Sequence, residues 1–231
     1  GPERTLRAEF LRDLCLGRHT DNRFDPRGIA ITGARIAGAL DLSNAEIAVP
    51  LTLVKCRVEG EFSLQHARMQ ILALDGSLLE GGLKADGIEV RGNVSLRNGF
   101  IANDEVRLLG AKIGGVLYCS SGQFRNAKKV VLNADGIEVR GSVSLRAGFI
   151  AQGEVRLLGA KIGGNLNCSA GRFGNPQGRA LSADGMQVAG SVFLREKFSA
   201  QGEVRLLGAK IGGSLECTAS QFENAAKMAI D

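Results

Sequence analysis

Residues 105–115 read Glu-Val-Arg-Leu-Leu-Gly-Ala-Lys-Ile-Gly-Gly, and the same stretch recurs without change at 154–164 and at 203–213. Both shifts are 49 residues. The same shift relates three further sets: Cys119, Cys168 and Cys217; Phe124, Phe173 and Phe222; and the Ala-Asp-Gly triplets that begin at Ala85, Ala134 and Ala183. Repetition at a fixed period of this size is typical of a solenoid, in which each repeat buries its apolar face against its neighbours.

Each repeat divides into short units. Alternating runs such as Val94-Ser95-Leu96 are followed about five residues later by a single apolar residue, and this alternation predicts strands with one buried face. Glycines and Asp-Gly pairs mark the corners. Four units fill a repeat and two units make a coil of roughly 20 residues, so each repeat is two coils. We therefore predict an all-β solenoid, specifically a right-handed parallel β-helix with a quadrilateral, pentapeptide-like cross-section.

The repeat is weaker before residue 93. Residues 35–42 align with 112–119, which puts Leu42 in the column of Cys119, and residues 61–64 match 105–108 with an offset of 44. These matches predict a β-helix of about nine coils over residues 28–231, with double-coil repeats from about residue 85 and an end inside a repeat.

The N-terminal segment predicts a helical cap for the exposed end of the solenoid. We exclude residues 1–2, Gly-Pro, as typical of the remnant of a cleaved tag. Within residues 3–17, Leu6, Phe10 and Leu14 recur every four residues, which indicates one apolar helix face, and Gly17 follows as a helix C-cap. Residues 18–27 are interpreted as a connector.

The composition suits a narrow coil. The chain has 32 Gly, ten Phe, one Tyr and no Trp, whereas a broad core draws more volume from aromatic rings. The five cysteines are an odd number without CxxC spacing, which favours a reducing compartment. There is no apolar run of the ~20 residues that a membrane span needs. We therefore expect a cytoplasmic protein, with the cytoplasmic face of a membrane as an alternative location.

Most motifs that suggest chemistry have a structural explanation. The Gly-Ala-Lys-Ile-Gly-Gly segment has the wrong order for a phosphate-binding loop and occurs at the repeat period, so it is interpreted as a corner. Members of the cysteine column lie two coils, roughly 10 Å, apart, too far to share one zinc ion, and are interpreted as core residues. The two histidines, His19 and His66, lie near no ligand cluster. We predict no catalytic, cofactor-binding or metal-binding residue.

Two charged columns leave alternatives open. Asp86, Asp135 and Asp184 precede glycines, so each is expected to bond backbone within its own turn, with calcium binding as the alternative. Arg107, Arg156 and Arg205 are candidate anion-binding residues. Nucleic acid is disfavoured, because the phenylalanines recur at inward positions and leave no stacking platform. The net charge of +5 is typical of an ordinary mixed surface.

The longest corner of the repeat varies most in sequence, and its copies are expected on one edge of the rod. Such loops on a rigid scaffold are candidate partner-binding sites. The candidate residues are Arg125, Asn126, Lys128, Lys129, Asn175, Gln177, Arg179, Asn224 and Lys227.

Residues 190–195 and 202–213 resemble a bacterial repeat family related to the pentapeptide-repeat proteins, whose members are often labelled membrane-associated oxidoreductases. The resemblance covers roughly residues 23–231. It implies the β-helix, a bacterial origin and a membrane tether through a region outside this sequence. The chain departs from the ordinary pentapeptide pattern, because loops interrupt the five-residue period.

These observations favour a non-enzymatic scaffold or protein-interaction module that binds a protein partner or self-associates, through the loop edge or by end-to-end stacking. A cofactor-dependent oxidoreductase, as the family label suggests, and polyanion binding by the basic columns are the alternatives.

Overall fold

Short alternating runs fold as strands here because one side of each strand is buried inside a coil while the other side faces solvent. A computed structural model describes residues 4–18 and 25–224, except for the side chains of residues 127–129. In this part the chain winds as a parallel β-solenoid of about eight turns with one short helix at its N-terminal end. The predicted all-β solenoid with a helical cap is confirmed.

Strand β1 (Thr5–Arg7) and helix α1 (Ala8–Cys15) precede the coils. Coils 1 to 4 contain β2 (Ile29–Thr32), β3 (Arg35–Ala37), β4 (Leu40–Asp41), β5 (Glu46–Ile47), β6 (Leu51–Val54), β7 (Arg57–Val58), β8 (Phe62–Ser63), β9 (Arg68–Met69), β10 (Leu72–Ala73), β11 (Leu78–Leu79), β12 (Leu83–Lys84), β13 (Glu89–Val90), β14 (Val94–Ser95), β15 (Ile101–Ala102), β16 (Val106–Arg107) and β17 (Lys112–Ile113). Coils 5 to 9 contain β18 (Leu117–Tyr118), β19 (Gln123–Asn133), β20 (Glu138–Val139), β21 (Val143–Ser144), β22 (Ile150–Arg156), β23 (Lys161–Ile162), β24 (Leu166–Asn167), β25 (Arg172–Ser182), β26 (Gln187–Val188), β27 (Val192–Phe193), β28 (Ser199–Arg205), β29 (Lys210–Ile211), β30 (Leu215–Glu216) and β31 (Gln221–Glu223).

The strands stack into four faces, because each strand pairs in parallel with its equivalent in the next coil. Face 1 has nine strands: β2, β6, β10, β14, β18, β21, β24, β27 and β30. Faces 2 and 3 belong to one 14-stranded sheet. Separate strands occupy them in coils 1 to 4 (β3, β7, β11 and β15 on face 2; β4, β8, β12 and β16 on face 3), whereas β19, β22, β25 and β28 run across both. Face 4 has eight strands: β5, β9, β13, β17, β20, β23, β26 and β29.

The double-coil period has a packing cause at the corner between faces 1 and 2. Coil 4 has Phe100 in the turn and Ala102 in the strand, whereas coil 5 has Gly122 in the turn and Phe124 in the strand. A β-carbon on Gly122 would lie 2.9 Å from Phe124 Cε2, so a large ring at one position requires a small residue at the other. Large and small residues therefore exchange places from coil to coil in coils 4 to 9, and the pattern is restored after two coils.

The alternation produces a continuous stack of rings along the core. Successive ring centroids lie 5.2–5.5 Å apart, with interplanar angles of 43–50°, through Phe100, Phe124, Phe149, Phe173, Phe198 and Phe222. The number of residues per coil alternates together with the position of the large residue. From Leu117 to Val143 the chain advances 26 residues, and from Val143 to Leu166 it advances 23, which together make the 49-residue repeat.

Helix α1 caps the first coil, but through a different face from the predicted one. Ala8, Leu11 and Cys15 are buried in the core, whereas Phe10 is 44% exposed. The prediction failed because Leu6 is not helical: it lies in β1, which pairs with β3, so the helix begins at Ala8 and its buried face is rotated.

The predicted end of the helix is confirmed in outline. Gly17 follows the C-cap residue Leu16 and has a φ of +73°, a backbone conformation that favours glycine. Its amide donates to Leu14 O at 3.0 Å, and the Arg18 amide donates to Asp13 O at 2.9 Å. These two bonds form a Schellman motif and satisfy carbonyls of the last turn.

Residues 35–42 lie half a coil away from their predicted register. Ile36 is on face 2, whereas Ile113, with which it was aligned, is on face 4. Leu42 is therefore outside the column of Cys119, which contains Leu53, Leu74 and Leu96 in earlier coils. Opposite sides of one coil carry the same alternation, so a local match cannot separate them. The match of residues 61–64 with 105–108 is confirmed, since both stretches lie on face 3.

Candidate functional site

The longest corner of the repeat forms a row of loops, here called the loop edge, between faces 2 and 3. In coil 5, residues 126–129 bulge out opposite the single residue Gly153 of coil 6. In coil 7, residues 175–178 bulge out opposite Gly202 of coil 8 in the same way. Because β22 and β28 cross this corner without an insertion, the loops recur in every second coil, roughly 10 Å apart.

An asparagine closes each loop. Asn126 Nδ2 donates to Val130 O at 2.6 Å, and Asn175 Nδ2 donates to Arg179 O at 2.8 Å. Gly202 faces the second loop with a φ of +118°, and a β-carbon there would lie 2.3 Å from Asn175 O. The asparagine bond therefore closes both loops in the same way. The second loop also packs against Gly202, where a side chain would clash with it.

The predicted partner-binding residues at this edge differ in how available they are. Gln177 is exposed at the tip of its loop, and Arg125 is exposed while its guanidinium donates to the side-chain amide oxygen, Oε1, of Gln123. Arg179 is half-buried and forms an ion pair with Glu203 at 3.4 Å. Gln177 and Arg125 are thus the residues best placed to contact a partner.

The third copy of the loop lies largely beyond the described part. Asn224 comes directly after β31, at the position that Asn175 occupies within β25 one repeat earlier, and it is half-buried. The remaining predicted residues of this kind lie outside the described residues: the side chains of Lys128 and Lys129, and the whole of Lys227.

The three candidate anion-binding arginines are each held by an aspartate of the preceding coil. The ion pairs are Arg107–Asp86 at 2.7 Å, Arg156–Asp135 at 2.5 Å and Arg205–Asp184 at 3.0 Å. The hydrogen bonds that Arg107 and Arg156 donate to the aspartates raise the pKa of both guanidinium groups above the ordinary value. An external anion would therefore have to compete with a carboxylate that is already in place.

The same aspartates bond across coils and not within their own turns. Their second carboxylate oxygens accept amide hydrogens of the next coil, from Leu109 at 3.2 Å, Leu158 at 3.0 Å and Leu207 at 3.1 Å. The predicted local bond is wrong, because the stacked coils bring a guanidinium and an amide of the next coil within reach of each carboxylate. Among the described residues, no group of three or more His, Cys, Asp or Glu could hold a metal ion.

The cysteines are core residues in the described coils. Cys119 and Cys168 are fully buried, and burial raises the pKa of both thiols. Burial also raises the pKa of Cys15, under the cap, to about 12. A raised pKa keeps these thiols protonated, and only the thiolate is a nucleophile or a metal ligand. The buried cysteines therefore act as small apolar groups.

Of the two histidines, His66 lies in the described part of the chain. His66 lies in a turn at φ +55°, and its ring covers the backbone of the next coil, where a β-carbon on Gly87 would lie 2.5 Å from His66 Nδ1. His19 lies outside the described residues.

Face 4 carries a row of alternating charge, here called the charge row, that the sequence prediction missed. Its outward residues in successive coils are Glu46, Arg68, Glu89, Lys112, Glu138, Lys161, Gln187 and Lys210. Glu89 accepts from Lys112 at 3.1 Å and Glu138 from Lys161 at 2.8 Å, and these hydrogen bonds lower the pKa of both carboxyl groups. A comparison at 49 residues relates the lysines to one another and Glu89 to Glu138 and Gln187, whereas offsets of one coil, 23 and 26 residues, show that the two sets alternate along the face.

No protein-family model, curated protein or solved structure matches the chain. None of the helices in the described ranges is long and apolar enough to cross a membrane. The proposed function is therefore based on the geometry of the rod and its surfaces.

Proposed function

We propose that this chain is a non-enzymatic β-solenoid scaffold that binds a protein partner, or a second copy of itself, through the loop edge. The observation that best supports this proposal is the recurrence of equivalent loops on a single edge of a regular rod. An asparagine closes each of these loops. Every coil is fixed to its neighbours by parallel pairing, so the loops have a set spacing. Loops that vary on an invariant support are where binding residues concentrate.

We further propose that the chain belongs to the bacterial repeat family that residues 190–195 and 202–213 resemble. The membrane tether that this resemblance implies would lie in a region outside this sequence. Of the two alternatives, polyanion binding has less support, because Arg107, Arg156 and Arg205 are already paired with aspartates. The oxidoreductase alternative has its own readout: a flavin or nicotinamide that co-purifies with the protein would favour it.

Site-specific crosslinking tests the proposal. A photoreactive amino acid at Gln177 places the probe at the tip of a loop, and the same amino acid at Gln152 places it on an exposed strand of face 2 in the neighbouring coil. In an extract of the cells that produce the protein, we expect a discrete product from the Gln177 variant. A product at twice the mass of the chain would identify the partner as a second copy.

A shortened loop is the matched control. Replacing residues 175–178 by one glycine gives coil 7 the short corner of coils 6 and 8, so the circular dichroism spectrum should not change. We expect a photoreactive group at position 174 of this variant to lose the product. Equal products from the Gln177 and Gln152 variants would contradict the loop edge as the binding surface.

A further inference from the structure

A groove lies beside the charge row on face 4, in coils 5 to 8, with a volume of about 490 Å³. Its floor follows the corner between faces 4 and 1, where Gly163, Ala189 and Gly212 are exposed. The packing of the coils keeps this corner small. A β-carbon on Gly163 would lie 2.2 Å from Arg140 O, and one on Gly212 would lie 2.3 Å from Ala189 O.

The walls of the groove carry more positive than negative charge. Arg140, Lys161 and Lys210 line it together with one carboxylate, Glu138, which Lys161 already binds at 2.8 Å. Within residues 4–18 and 25–224, neither Arg140 nor Lys210 has an ion-pair partner, and both side chains are exposed. The groove therefore presents two uncompensated cations above a small-residue floor.

The uncompensated charge has an identifiable origin in the charge row. Carboxylates alternate with cations from Glu46 as far as Lys161, and the next position is Gln187. Lys210 thus has a neutral amide in the adjacent coil where the alternation requires a carboxylate. One residue, Gln187, changes a self-neutralised row into a surface with unsatisfied positive charge.

We propose that this groove binds an extended acidic peptide segment of a partner protein, which lies along the rod axis. The groove continues into a second depression, where Arg91, Lys112 and Arg140 outnumber the carboxylates Glu89 and Glu138, and this continuity suits a linear ligand. Lys161 and Lys210 lie two coils, roughly 10 Å, apart, and an extended peptide covers that distance in about three residues. In the extended polyproline II conformation three residues make one turn and advance about 9 Å, so glutamate or aspartate at every third position would lie on one side of the ligand and match the cations.

The lining favours a peptide over a nucleic acid. No aromatic residue lines the groove, so bases would find no stacking surface. Val139, Ile162 and Val188 face the core, so ion pairs and not apolar contacts would supply most of the affinity. This surface is on the opposite side of the coil from face 2, and the inference does not depend on the loop edge.

The decisive variant is Gln187→Glu, which restores the alternation and lowers the net positive charge of the groove without changing the size of any side chain that lines it. The probe is a short fluorescein-labelled peptide with glutamate at every third position, serine and threonine between, followed by fluorescence anisotropy at low salt. We expect wild-type protein to bind the peptide and Gln187→Glu to weaken binding by about threefold or more, since two cations gain a competing carboxylate. Its unfolding temperature should stay the same or rise.

Gln152→Glu is the matched control, because it makes the same change in net charge on face 2. We expect it to leave peptide affinity unchanged, whereas Arg140→Ala and Lys210→Ala should each weaken binding. Absence of peptide binding by the wild type, or equal weakening by Gln152→Glu and Gln187→Glu, would overturn the proposal. Tighter, Gln187→Glu-sensitive binding of polyphosphate or single-stranded DNA would also overturn it, by identifying a different polyanion as the occupant.

Discussion

Left-handed backbone recurs at the corners of the solenoid, and several of these positions are not glycine. Ala147 has a φ of +52° in the turn between faces 1 and 2, and Gly159 has a φ of +62° in the turn between faces 3 and 4. A β-carbon on Gly159 would meet nothing within 4 Å, and Ala147 is exposed. The two positions therefore isolate the conformational cost of a β-carbon from its packing.

We expect Gly159→Ala to lower the free energy of unfolding by about 1 kcal/mol and Ala147→Gly to raise it by about 0.5 kcal/mol, because a β-carbon strains left-handed backbone and glycine does not. Urea denaturation followed by circular dichroism measures both changes. A loss of stability in both variants would show that side-chain contacts, and not backbone conformation, decide these turns.

The ring stack predicts a large effect at one phenylalanine and a small one at another. Phe149 is fully buried with ring centroids 5.2 Å from those of Phe124 and Phe173, so Phe149→Ala should lower the free energy of unfolding by about 3–5 kcal/mol. Phe10→Ala, at a position 44% exposed on the cap, should lower it by less than about 1 kcal/mol. Comparable losses in the two denaturation curves would argue against a stack that supports the core.

At the scale of the strand element, the charge row on face 4 couples stability to pH. The hydrogen bond from Lys161 holds the pKa of Glu138 below its ordinary value, and the charges of Lys161 and Lys112 add to this. A carboxyl group whose pKa is lower in the folded state stabilises the fold above its unfolded pKa. That contribution is lost as the pH falls through the folded pKa.

We therefore expect Lys161→Met to raise the pKa of Glu138 toward 4.5 and to reduce the loss of stability when the pH falls below that value. Titration of the carboxyl carbon by NMR measures the pKa directly. Lys210→Met is the matched control, because its adjacent coil carries Gln187, and it should leave the titration of Glu138 unchanged. The same shift in both variants would rule out the pair as the cause.

The elements also show what a sequence of this kind can reveal. The 49-residue identity predicted the solenoid and the row of loops, because equal spacing along the chain becomes stacking in space. It could not assign residues 35–42 to the correct side, since opposite faces of a coil share one alternation. The sequence contained the change from Glu138 to Gln187, which lie 49 residues apart, but only the pairing of adjacent coils shows that this change interrupts a row of alternating charge.

At the scale of the molecule, removal of one whole repeat should leave the fold intact. Deletion of residues 134–182 joins Asn133 to Ala183, and since Asn133 and Ser182 lie in one column of face 3, the register is kept. The ring positions and the loops also remain in phase. We expect a folded rod that is shorter by two coils, roughly 10 Å, as small-angle X-ray scattering would measure.

Deletion of a single coil is the informative contrast. Removal of residues 134–156 keeps the strand register, because Asn133 pairs with Arg156, but it brings Phe124 and Phe173 into the same position of adjacent coils and places two loops side by side. We expect this variant to be less stable than the two-coil deletion, although it loses fewer residues. A higher unfolding temperature for the single-coil deletion would contradict the packing origin of the double-coil period.

The exchange of large and small residues at the corner between faces 1 and 2 makes successive coils alternate between two kinds. Within coils 4 to 9, a duplication that copied one coil would place two large residues at the same position of adjacent coils, so this part of the rod is expected to grow by two coils at a time. Each step adds one loop as well as one increment of length. The number of contacts that the rod can offer and the distance it can span are therefore linked, and neither can evolve without the other.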